Sequence, residues 1–323
     1  VFLLSGAVVA AAGVRLARDG DAIADATGLG RAWVGAILVA GATSLPELAT
    51  DTHAVVQGHV DLAVGDLFGS CMANMAILAV ADLLTRQGRI LARVALSQAM
   101  VGSIAVCLLL IAALGMAGPA LGHGTFLGMG PSVLAIGIAY LAGTRLLHRN
   151  RAVPSGVEPT PPVGPARSLR AAGTGFAIAA VVITVAAWFL ARSAATVAQQ
   201  LGISQGFVGV LLLAITTSLP EMAVSIAGIR AGSFDLVVGN LLGSNGFNVA
   251  VLVLLDAVEG PGRLLATADP QLLVGALFGA LLTGLAMLDV LNKSERRWWA
   301  IEPGPVILLA VYVLGVVLMF GRS

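Results

Sequence analysis

Residues 35–84 read GAILVAGATSLPELATDTHAVVQGHVDLAVGDLFGSCMANMAILAVADLL, and residues 209–258 read GVLLLAITTSLPEMAVSIAGIRAGSFDLVVGNLLGSNGFNVAVLVLLDAV. The two align without a gap at a constant offset of 174, with 21 of 50 positions identical. The same offset pairs Phe2 with Phe176, Gly28 with Gly202 and Gly35 with Gly209. The chain is therefore a duplication, and the architecture must place two similar halves against each other.

Composition says where those halves live. Of 323 residues, 58% are hydrophobic and only 11% charged, with a mean hydropathy of +0.96. A soluble domain carries about twice that charge. Apolar stretches of near-spanning length recur from end to end, and a helix of about 20 residues crosses a hydrocarbon core of roughly 30 Å. The 40 glycines suit close packing between membrane helices. The expected fold is an all-α polytopic membrane protein of ten transmembrane helices, at about 1–17, 33–56, 61–84, 94–116, 125–147, 171–190, 206–229, 235–257, 270–290 and 304–320. The opening residues lack the basic region and cleavage site of a signal peptide and read as the first span. Residues 148–170, rich in Pro and Arg, read as a cytoplasmic linker between a first five-helix repeat, 1–147, and a second, 171–323.

Five spans per half is odd, so the second copy enters the membrane inverted. Charge gives an independent test. Over ten alternating spans, 15 of the 18 Lys and Arg fall on one side, and only Arg192, Arg263 and Arg322 on the other. The basic side is expected to be cytoplasmic, which puts both termini outside. Inverted repeats are the plan of secondary transporters, whose substrate sits near the midplane where the copies meet.

Both copies contain TSLPE: Thr43, Ser44, Leu45, Pro46, Glu47 and Thr217, Ser218, Leu219, Pro220, Glu221. The glutamates fall near the bilayer centre, where a carboxylate is costly unless water, a proton or a cation compensates it. Proline removes a backbone hydrogen bond and frees a carbonyl on the preceding turn, so the Thr43 and Thr217 carbonyls are candidate ligands. Asp66, Ser70 and Asn74 recur every four residues in the third span, as do Asn240, Ser244 and Asn248 in the eighth, one polar stripe on each helix. Gly65 and Gly69, matched by Gly239 and Gly243, form a thin neighbouring face. Oxygen-rich walls with two glutamates suit a hard cation, and Ca2+ accepts about 6–8 oxygen ligands. One Ca2+ between the two carboxylates neutralises both; monovalent ions or protons do so in alternation, which is the electrostatic basis of antiport.

At these residues the chain resembles the sodium/calcium exchanger family, within the wider calcium/cation antiporter superfamily. The resemblance spans both signature repeats and the ten-helix plan. It implies that Glu47 and Glu221 are the central Ca2+ carboxylates, with backbone oxygens from Thr43 and Thr217. Ser44, Ser70, Asn74, Ser218, Ser244 and Asn248 would line flanking Na+ sites or the shared cavity. The first copy departs at Asp66 and Cys71, where the family commonly has Asn, and Asn248 stands where several branches carry Asp. These changes bear on the driving ion, Na+ or H+, and on stoichiometry.

Other features have plainer readings. Asp61 and Asp235 read as helix caps before ion attractors, and Asp82 and Asp256 as interfacial groups. His53 and His59 fall at the outer edge. Cys71 and Cys107 read as isolated core thiols. Trp298 and Trp299 beside Lys293, Arg296 and Arg297 form an interfacial anchor rather than a nucleic-acid surface. No nucleotide fingerprint, zinc motif or nucleophile–base pair suggests an enzyme or a resident cofactor. The expected partners are Ca2+, a counter-ion (Na+ or H+) and membrane lipid, with no obligate protein partner evident. The setting expected is a prokaryotic inner membrane. A Ca2+/H+ antiporter and an exchanger of another divalent ion are the alternatives within this class; an ion channel is the alternative outside it.

Overall fold

A computed structural model describes residues 1–85, 90–118, 125–126, 129–150, 168–200, 216–260, 262–292 and 303–320. Helices occupy all ten expected positions: α1 (Phe2–Thr27), α2 (Arg31–Thr43) continued by α3 (Leu45–Val56), α4 (Val60–Leu84), the short α5 (Ile90–Arg93), α6 (Ser97–Ala117), α7 (Pro131–Asn150), α8 (Leu169–Gln200), α9 (Leu219–Ala231), α10 (Phe234–Glu259), the short α11 (Leu264–Thr267), α12 (Leu272–Asn292) and α13 (Pro303–Phe320). Five described helices are long and apolar enough to cross a membrane, and the bent pair α2–α3 makes a sixth. Residues 206–215 of the seventh expected span, most of the 148–170 linker and the Trp298–Trp299 anchor lie outside the described residues.

The first helix runs ten residues past its expected end before Gly28, in the left-handed conformation at φ 66°, stops it. Its polar extension is held by ion pairs, Arg15 to Asp19 at 2.6 Å and Arg31 to Asp21 at 3.0 Å. The outer faces of the bundle carry exposed Ile138, Leu141, Val181, Leu281, Leu288 and Val313, the apolar surface a lipid-embedded protein needs. Cys107 belongs to that exposed surface and not to the core, contrary to expectation, while Cys71 is fully buried; both are free thiols.

The halves interlock through equivalent helices: α1 packs on α8, α4 on α10 and α6 on α12. Close approach is set by glycine. A Cβ on Gly239 or Gly243 of α10 would collide with the backbone of Ala32 or Ala36 in α2, and one on Gly35 with the Leu236 carbonyl. The second copy's part of the thin face read from the sequence, Gly239 and Gly243, is thus a helix-crossing point.

Acids at equivalent positions make equivalent bonds. Asp82 accepts the Ile90 N–H and Asp256 the Leu264 N–H at 3.2 Å, so each carboxylate holds the start of the short helix that follows its span. Asp235 accepts the Ala95 N–H at 2.8 Å, and Asp61 accepts the Asp269 N–H at 2.7 Å. Asp61 and Asp235 are therefore not caps of their own helices, as expected from sequence; neither helix has a side-chain cap bond. They reach across to the opposite half, whose loop offers unpaired N–H groups that a helix-internal reading could not foresee.

Candidate cation site

Both TSLPE segments break their helices at the serine. Ser44 (φ −88°, ψ 4°) ends α2, and Leu45 and Pro46 restart the chain as α3, bent by 41°. Ser218 (φ −80°, ψ 1°) takes the same conformation before α9. Proline at the first turn of the new helix has no N–H to leave unsatisfied, so the break is stable where it falls. Ahead of it, Val34–Val39 winds as a π-helical turn, a wider coil found mostly at functional sites.

The breaks bring four elements together. Glu47 and Glu221, on the first turns of α3 and α9, are both fully buried, as are Asp66 and Ser70 of α4 and Asn240, Ser244 and Asn248 of α10; Asn74 is 1% exposed. All twelve residues expected at the site are buried. Like-charge repulsion reaches Glu47 from Glu221 and Asp66.

Threonines of one half bond the stripe of the other. Thr43 Oγ1 donates to Asn240 Oδ1 at 3.2 Å, and its equivalent Thr217 Oγ1 donates to Asp66 Oδ1 at 3.4 Å. Lower down, Asn74 donates to Asn245 Oδ1 at 3.1 Å, and Asn245 donates to Thr283 at 3.0 Å. Asn245 and Thr283 join the buried network without having been singled out in the sequence. The signal was present in the repeat, since Asn245 is the counterpart of Cys71.

The hydrogen bonding around the two glutamates is unequal. Glu221 Oε1 accepts from Ser44 Oγ and Ser244 Oγ, each at 3.4 Å. The equivalent serines for Glu47 are Ser218 and Ser70, and neither has a partner among the described residues. Both Glu47 oxygens lack one too, as do Asn74 Oδ1 and both polar atoms of the Asn248 amide. Buried polar groups are nearly always bonded, and these orphan atoms, with Glu221 Oε2, belong to the segments that the helix breaks bring together. No group of three His, Cys, Asp or Glu among the described residues closes tightly enough to hold a metal alone; hydroxyl, amide and backbone oxygens would have to complete any shell.

Asp51 is the acid that sequence reading passed over. It lies one turn beyond Glu47 on α3, is 1% exposed, and meets the Asp66 carboxyl within hydrogen-bonding reach. Its spacing of four from Glu47 was the available clue.

A cavity of about 650 Å3 opens between the second half of α4 and α9. Its wall runs from Ser218 and Ala73, beside the glutamates, past Met222 and Ser225 to Arg230 and Thr85.

Known proteins share this plan. The inner membrane protein YrbG of Escherichia coli K12 is 31% identical over 241 residues, 72% of this chain and 70% of that one. The sodium/calcium exchanger MaX1 of Methanosarcina acetivorans is 25% identical over 143 residues, 44% of this chain and 39% of that one. Structures of the sodium-calcium exchanger NCX_Mj superpose over 98% of this chain and 96% of theirs, with TM-scores of 0.74 at 21% identity when soaked with 2.5 mM Na+ and 1 mM Sr2+, and 0.71 at 22% identity with zero Na+ and Ca2+. That likeness fixes the fold as two inverted repeats of transmembrane helices. Residues 1–144 and 172–321 both match the family described as sodium/calcium exchanger protein. The chain is an integral membrane protein of the sodium/calcium exchanger family.

Proposed function

We propose that Glu47 and Glu221 bind the Ca2+ that this secondary antiporter exchanges for Na+ by alternating access. The observation that carries the assignment is the pair of fully buried glutamates, one from each half, at matching helix breaks. Two carboxylates in a low dielectric repel unless a cation lies between them. Ser44, Ser70, Ser218 and Ser244 with Asn74, Asn248, Asn240 and Asp66 supply the surrounding oxygens, and the Thr43 and Thr217 carbonyls turn toward the ion. The working units are the two five-helix repeats, 1–147 and 171–323, joined by a cytoplasmic 148–170 linker, in a prokaryotic inner membrane with both termini outside.

The unequal bonding supports an alternating cycle. Because the sequence repeats, the bonds now made to Glu221 by Ser44 and Ser244 have a mirror set, Glu47 with Ser218 and Ser70. Exchange of one set for the other accompanies the change of face. The cavity beside Ser218 leads toward Arg230, on the side that the charge bias assigns to the cytoplasm, which supports an inward-facing reading.

The test is Ca2+ uptake into proteoliposomes loaded with Na+, repeated with choline in place of Na+ across a pH gradient. Na+-dependent uptake that disappears in Glu47→Gln and Glu221→Gln establishes the reading. Uptake driven by a proton gradient alone favours a Ca2+/H+ antiporter instead, a reading to which the extra buried acids Asp51 and Asp66 lend weight. Ca2+ flux with no counter-ion would overturn both.

A further inference from the structure

We infer that Asp51 and Asp66 form a second divalent-cation site, one helical turn from the central glutamates on the side of the Gly58–His59 turn. The repeat supplies its own control: 174 residues on, the equivalents of Asp51 and Asp66 are the neutral Ser225 and Asn240. The first half thus carries two acids at positions that touch, and the second half has none there. Both acids are buried, and among the described residues Asp51 Oδ1, Asp51 Oδ2 and Asp66 Oδ2 have no hydrogen-bond partner. The ion pairs among the described residues involve neither acid. Two ionised carboxylates in contact, with a single hydroxyl donor and no counter-charge among the described residues, are a strongly unfavourable arrangement in a buried site. A proton shared between the two carboxyls would engage one oxygen of each, whereas a bridging cation also uses the third oxygen that has no partner.

Among the described residues, the one side-chain donor to the pair is Thr217 Oγ1, at 3.4 Å from Asp66 Oδ1. Its lone pairs make it a further oxygen ligand once a cation lies there. The donor set is hard and entirely oxygen, and carries two negative charges, which matches Ca2+ in preference to softer metals. Charge balance agrees: fully ionised, Glu47, Glu221, Asp51 and Asp66 would carry four negative charges, which two Ca2+ neutralise. Asp51 lies on the same helix as Glu47, beyond it toward the opposite face from the α4–α9 cavity, so this second site stands on the other approach to the central one.

The inference rests on the exchange reading only in taking Glu47 and Glu221 as the central site. The experiment is equilibrium dialysis of the purified full-length protein against 45Ca2+ without Na+, scored as ions bound per chain. About two ions are expected for wild type, falling by one in Glu47→Gln/Glu221→Gln, by one in Asp51→Ser, and by both when the three changes are combined. Serine is the side chain the second half already uses at this position, Asp66 is left in place because it also lines the central site, and a monodisperse size-exclusion profile verifies folding. A wild-type count of one that disappears in Glu47→Gln/Glu221→Gln overturns the second site and leaves the exchange reading intact. Binding lost only in Asp51→Ser upholds this site and sinks the central assignment. A wild-type count of two, unchanged by Asp51→Ser, also overturns the proposal, and the wild-type count needs no variant to fold.

Discussion

Glycine 243 illustrates how much one missing methyl group decides. Its Cα lies against the backbone of Ala36, and a backbone atom cannot swing aside as a side chain can. Gly243→Ala is therefore expected to destabilise the detergent-purified protein by about 1–3 kcal/mol, read as a lower Tm. Gly284, with nothing within 4 Å of a built Cβ, is the matched control; Gly284→Ala should leave Tm unchanged or raised, since alanine is the better helix former. At this scale the sequence was most legible where the duplication spoke twice. Glu47 and Glu221, the TSLPE serines and the glycine pairs stood out because they recur at a fixed offset. Asp51 stayed hidden because its counterpart is Ser225, so the repeat gave no signal, and because its partner Asp66 lies on another helix. Only the packing of α3 on α4 brings the two together.

Helices were legible as apolar lengths, and their breaks as proline; the connections between them were not. Asp256 ends α10 and gathers the N–H groups of Gly130, Gly262 and Leu264, from α7's approach and from α11. No local pattern announces such a bond, because its donors come from two distant segments. Asp256→Ala leaves three N–H groups without their acceptor and is expected to lower stability by about 1–3 kcal/mol for each that water does not reach, measured by thermal unfolding. Asp256→Asn retains one acceptor oxygen and should lose less. The cavity along α9 gives a second expectation for this element. Met222 lines it, so Met222→Cys in a Cys71→Ala/Cys107→Ala background should react with a membrane-impermeant thiol reagent from the cytoplasmic face. Adding saturating Na+ or Ca2+ should change that rate by several-fold as the population shifts between faces. Reaction only from the outer face would reverse the assigned orientation. The π-helical turn at Val34–Val39 was invisible in the sequence, where the residues read as ordinary apolar helix; it arises where α2 presses against Gly239 and Gly243.

Across the whole molecule the principal contacts run between halves, α1 on α8, α4 on α10 and α6 on α12. Residues 1–150 and 168–323 expressed as separate chains are therefore expected to assemble in the membrane and co-purify through a tag on either one. Failure to co-purify, with both fragments present in the membrane, would mean that the covalent link is needed to form the interface. The overall plan was legible because odd span number, charge bias and repeat offset all pointed one way, whereas the reciprocal bonds that join the halves were not. Asp61 of the first half holds Asp269 of the second, and Asp235 of the second holds Ala95 of the first. These are one bond written twice, 174 residues apart at both ends. In an ancestral pair of identical subunits lying head to tail in the membrane, a single gene would have encoded both clasps, and any mutation would have struck the two together. Fusion into one chain released each clasp to drift by itself, and Ala95 standing where the second half has Asp269 is the visible record of that freedom.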